Sequence, residues 1–133
     1  MTECCAPDEL DLTRRAMMRF ALWGLPAVAL ITGIFVSPGW RTIVWTTALA
    51  VAGTGCVANA SRCGRVHCYF TGPLYLISGA VTLAYGLGIL PLGPDGWFWI
   101  GVALAAGSCM LGYLPERIWS KYVNREFRIG GPP

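Results

Sequence analysis

Two thiols, an imidazole and two guanidiniums fall within seven residues at Arg62-Cys63-Gly64-Arg65-Val66-His67-Cys68. Thiolates are soft ligands and nucleophiles, and neighbouring cations favour the thiolate, so Arg62 and Arg65 would raise metal affinity and reactivity together at Cys63 and Cys68. If the apolar segment before this run continues as a helix, Cys56, Asn59 and Cys63 stand at i, i+3 and i+7 on one face. A soft ion leaving the membrane would then meet Cys56, next Cys63, and finally Cys68 with His67. The vicinal pair Cys4-Cys5 is expected to be a mobile acceptor in a short polar tail. The expected metal ligands are therefore Cys63, Cys68, His67, Cys56, Cys4 and Cys5, with Arg62, Arg65 and Asn59 in support. Such a set suits Hg(II), Cu(I) or Zn(II), and it implies no bond-making on an organic substrate.

Each residue also has a plainer use. Cys56 and Cys109 are the kind of thiol that packs as a small hydrophobe. His67 serves equally as a solvated loop residue or a phospholipid contact, and Arg62 and Arg65 as topology and headgroup residues. Asn59 could cap a helix end or bond across helices. The Cys-x4-Cys spacing differs from the Cys-x2-Cys of zinc knuckles and thioredoxin-type sites. It still permits a disulfide if the chain bends at Gly64, so a membrane thiol redox protein or sensor using Cys63 and Cys68 is a second reading.

The elements that must position these residues are apolar. Of 133 residues, 55% are hydrophobic and 13% charged, and the mean hydropathy is +0.54. A water-soluble domain of this size needs more polar surface. The apolar residues are blocked into runs about twenty long, enough to cross a bilayer core of roughly 30 Å as a helix. The expected fold is an all-α membrane protein of four transmembrane helices, with spans at 18–36, 42–60, 72–92 and 97–114. Residues 1–17 form a polar N-terminal tail, 61–71 a loop carrying the cysteines and histidine, and 116–133 an amphipathic tail. In that tail Ile118, Trp119, Tyr122 and Phe127 would be lipid contacts.

Local signals punctuate the spans. Pro26 should kink the first span. Ser37-Pro38-Gly39-Trp40-Arg41 and Pro91-Leu92-Gly93-Pro94-Asp95-Gly96 read as tight turns, and Pro73 as an N-terminal helix proline. Trp40, Trp45, Trp97 and Trp99 fit an interfacial aromatic belt. Gly79 with Gly86, and Gly101 with Ala105, allow close helix approach and self-association. No small-x-small cleavage site follows the first run, so it is expected to remain as an anchor.

Basic residues sort by loop, with nine on one side of this layout and Arg41 alone on the other. Positive-inside then puts both termini and the thiol loop in the cytoplasm. All six cysteines fall in that half, where thiols stay reduced. The net charge of +3 is not gathered into a basic face with stacking aromatics, which excludes nucleic acid as a partner. No acidic or basic side chain stands at mid-depth, which excludes a carboxylate-based proton pump.

The run Asn59-x2-Arg62-Cys63-Gly64-Arg65-x-His67-Cys68-Tyr69-Phe70-Thr71-Gly72-Pro73 resembles a signature of small uncharacterised bacterial inner-membrane proteins. The likeness extends through Tyr85-Gly86-Leu87-Gly88-Ile89-Leu90-Pro91, over roughly residues 56–115. More distantly, the layout is similar to the mercuric ion transport family. That resemblance implies an inner-membrane protein passing Hg(II) by thiol exchange to a cytoplasmic thiol acceptor protein. Those transporters carry a cysteine pair in the first span, whereas Met18 to Val36 here has none. The leading expectation is binding or translocation of a soft ion. A redox role, or that of an accessory subunit of a membrane complex, stands beside it.

Overall fold

The computed structural model describes residues 15–118, apart from the side chains of Cys63 and Glu116. Cys4, Cys5 and the expected surface segment beyond 118 lie outside the described residues. Four helices follow one another: α1 (Ala16–Gly33), α2 (Pro38–Cys63), α3 (Val66–Gly86) and α4 (Gly96–Ile118). The described residues are all-helical, and three of these helices, α1, α2 and α4, are long and apolar enough to span a membrane.

α1 is not regular. Between the α-helical turns Ala16–Arg19 and Leu25–Gly33 it widens into a π-helical turn, Phe20–Gly24. Pro26 has no amide proton to give the carbonyl four residues back, and the ladder dilates just before it. The C-terminus of α1 lacks a left-handed glycine cap. Arg41 serves instead: its Nε donates to Gly33 O at 3.1 Å, and Nη2 donates to Ile34 O at 2.7 Å and Val36 O at 3.2 Å. The same guanidinium sits 5.4 Å over the Trp97 ring, so one cation ties α1 and α2 to the start of α4.

α2 begins at Pro38, where the missing amide proton costs nothing, and ends at Gly64. Gly64 has φ 71°, and its N–H bonds Ala60 O at 2.9 Å. Arg65 is extended, and α3 starts at once. The expected loop over 61–71 is therefore corrected: only Gly64 and Arg65 separate the helices. Pro73 lies inside α3 rather than in its first turn.

The main contacts join α2 with α3, α3 with α4, and α1 with α2. Glycines let α2 and α3 lie close. A Cβ on Gly72 would stand 2.8 Å from Val57 Cγ2 and 3.3 Å from the Val57 backbone nitrogen, and one on Gly53 would stand 3.1 Å from Leu76 N. The core gathers along this seam as Leu49, Ala52, Cys56, Ala60, Cys68, Tyr75 and Leu104. Trp45 belongs to the interior rather than the expected belt. It is 5% exposed, and its indole N–H donates to Leu30 O at 3.0 Å, a carbonyl released where α1 ends. Trp40 and Trp99 do remain exposed.

Polar side chains in the helices bond locally. The hydroxyls of Thr42, Thr47, Thr54, Thr71 and Thr82 each reach the carbonyl four residues back. Gly72→Val should overpack the α2–α3 seam and cost about 1–3 kcal/mol, read as a lower unfolding temperature in detergent. Gly39→Ala, at an open helical position with nothing within 4 Å, should be neutral or stabilising by up to about 1 kcal/mol.

Candidate thiol site between two helices

The buried positions of α3 are Val66, Cys68, Thr71, Gly72, Tyr75, Gly79 and Thr82, a stripe at helical spacing. On α2 the facing stripe runs Leu49, Ala52, Cys56, Asn59 and Ala60. Because the connection is only two residues long, the end of one stripe is folded back on the start of the other. Cys56, Asn59, His67, Cys68 and Thr71 meet there.

Cys56 is 3% exposed, and Cys68, Asn59 and Thr71 are each 1% exposed. The two thiols face each other across the seam, near enough to influence one another electrostatically. Asn59 Nδ2 donates to Cys68 Sγ at 3.6 Å, and Thr71 Oγ1 to Cys56 Sγ at 3.6 Å. Thr71 Oγ1 is also 2.9 Å from His67 O, so its single proton serves two acceptors. His67 Nε2 lies 3.4 Å from Cys68 Sγ. Each sulfur thus has a polar donor from the helix opposite its own, inside an otherwise apolar seam.

The π-helical turn of α1 presents Trp23 to the cluster. Its ring centroid is 6.0 Å from that of His67, in tilted geometry, and 5.9 Å from that of Tyr75, edge to face. Leu104 of α4 joins Tyr75, Cys56 and Cys68 in the buried cluster. All four helices therefore touch the site or its immediate support.

The residues singled out in the sequence are distributed as follows. Cys56, Asn59, His67 and Cys68 come together. Cys63 is the last residue of α2, and its side chain is outside the described atoms. Arg62 is exposed in the last turn of α2, where its charge suits the helix C-terminus, and Arg65 occupies the N-cap position of α3. Cys109 is exposed on α4. Thr71 and Trp23 were not foreseen. Thr71 could have been found from its position four residues after His67 and three after Cys68. Trp23 is set by the π-helical turn, which no local pattern announces. Among the described residues, no three His, Cys, Asp or Glu side chains converge as a metal site.

No family model, curated protein or solved structure matches the chain. Thr71→Val should leave Cys56 without its donor and cost about 1 kcal/mol of stability. Thr71→Ser should recover most of the loss, with thermal unfolding of the purified protein as the readout.

Proposed function

We propose that the chain is a four-span protein of the bacterial inner membrane, with both termini cytoplasmic, that binds or passes a soft thiophilic ion at Cys56 and Cys68. The observation that carries this reading is the meeting of two buried thiols from neighbouring helices, each supplied with a polar donor. Two opposed sulfurs suit the two-coordinate preference of Hg(II) or Cu(I). Zinc takes four ligands, and the described residues offer fewer. His67, whose Nε2 touches Cys68 Sγ, would support that sulfur rather than complete a third ligand, and Cys63 with Cys4-Cys5 would carry the ion on to a cytoplasmic thiol acceptor protein.

The fourth span is α3. Its mean hydropathy is lowered by Thr71, Tyr75 and Thr82, which are 1%, 9% and 0% exposed, whereas its exposed residues include Leu76, Ile77 and Leu83. Polar groups turned inward and bonded, with apolar groups outward, are what a bilayer requires of a helix. The basic residues at the Arg62–Arg65 end supply the cytoplasmic orientation.

Chemically, a divalent ion entering the site would displace two thiol protons and form two sulfur–metal bonds, so binding should strengthen as pH rises. The thiol–disulfide reading rests on the same proximity and would use Cys56 with Cys68 rather than Cys63 with Cys68. Differential alkylation of oxidised and reduced cells separates the two, because an ion site keeps both thiols titratable after the ion is stripped.

In a Cys4→Ser, Cys5→Ser background, titration with Hg(II) against a competing small thiol should show one tight equivalent per chain. Cys56→Ser with Cys68→Ser should abolish it, and Cys63→Ser should leave it in place. An unchanged tight equivalent in the Cys56/Cys68 double variant would rule the site out.

A further inference from the structure

A second feature lies away from the thiols. α1 and α4 flank the α2–α3 pair without close packing against each other, and the space between them is a furrow. Two adjoining cavities, about 400 Å³ and about 550 Å³, share Ile34, Trp45, Gly101 and Ala105 in their walls. Gly101 and Ala105, read from sequence as a helix contact, line this furrow instead. A Cβ on Gly101 would meet only Trp45, at 3.5 Å. The inner part is walled by apolar side chains such as Leu30, Leu49 and Leu104, with Tyr75 and Ser108 at its deep end.

The mouth is different. Arg41 and Asp95 both line it, beside Trp97 and Phe98. Arg41 spends Nε and Nη2 on the end of α1, which leaves Nη1 for a ligand. The Asp95 carboxylate is exposed and has no ion-pair partner among the described residues. A cation and an anion therefore stand at one end of an apolar slot, at the helix ends where interfacial tryptophans gather.

We propose that this furrow seats one aminophospholipid molecule, with an acyl chain along the α1–α4 slot, its phosphate on Arg41 and its primary ammonium on Asp95. A purely anionic lipid would meet the Asp95 charge unfavourably. A quaternary choline headgroup has no N–H to give the carboxylate, so phosphatidylethanolamine fits the pair best. Small residues at 101 and 105 leave the room that larger side chains would fill. The site is independent of the thiol reading, since Cys56 and Cys68 do not line it.

The test presents delipidated full-length protein in detergent with mixed vesicles of phosphatidylethanolamine, phosphatidylcholine and phosphatidylglycerol of matched acyl chains. The protein is then repurified, and bound lipid is quantified by native mass spectrometry. The expected result is one retained lipid per chain, with phosphatidylethanolamine favoured several-fold over each of the others. Gly101→Leu should remove retention. Asp95→Asn keeps a residue equally good at a helix start, so it should bring phosphatidylethanolamine and phosphatidylcholine to parity at an unchanged unfolding temperature. Cys68→Ser should retain the preference. Equal retention of all three lipids, a preference that survives Asp95→Asn, or a lipid-free dimer whose second copy fills the furrow would each overturn the assignment.

Discussion

The close approach of α2 and α3 is the constraint on which the rest depends. A two-residue connection folds one helix directly back on the other, and Gly53, Gly72 and Gly79 remove the side chains that would hold them apart. The resulting seam buries Leu49, Cys56, Asn59, Cys68, Thr71 and Thr82 almost completely. In a lipid environment, where apolar burial between helices contributes little, such packing and the hydrogen bonds within it must supply much of the cohesion. The sulfur contacts and the helix packing share that seam, because the donors that partner the sulfurs also cross from one helix to the other.

Much of this architecture was legible in the chain. Runs of apolar residues and the break at 91–96 locate the four helices, although residues 38–41, read as a turn, open α2, and α3 starts and ends earlier than expected. The Arg62–Cys68 run was read as a loop because it is polar and cysteine-rich. In the structure it is mostly helix, and Gly64 alone supplies the left-handed cap between α2 and α3. Pro73 misled in the same direction. Mid-helix prolines are tolerated when neighbouring helices satisfy the freed groups, so proline is a weak boundary marker in such segments.

Other features depend on tertiary contacts that local sequence does not encode. Trp45 looked like an interfacial anchor, but it packs against Gly33 at the end of α1 and bonds the carbonyl of Leu30. Arg41 looked like a lone outer charge, yet it caps α1 and stacks on Trp97. The alignment of Cys56 and Asn59 on one face of α2 followed from spacing. That Thr71 would bond Cys56, and that Trp23 would lie against His67, required knowing how the helices fold together. The inward position of Thr71 and Thr82 on α3 likewise follows from how the helices pack.

The proposed two-sulfur centre takes one thiol from each of α2 and α3. Mercury-edge X-ray absorption, on full-length protein with Cys4 and Cys5 replaced by serine and loaded with a single equivalent of Hg(II), tests it most directly. The expected result is two sulfur neighbours, with Cys56→Ser and Cys68→Ser each replacing one of them by a lighter atom. A shell of three or four sulfurs, or a two-sulfur shell unchanged in either variant, would contradict it.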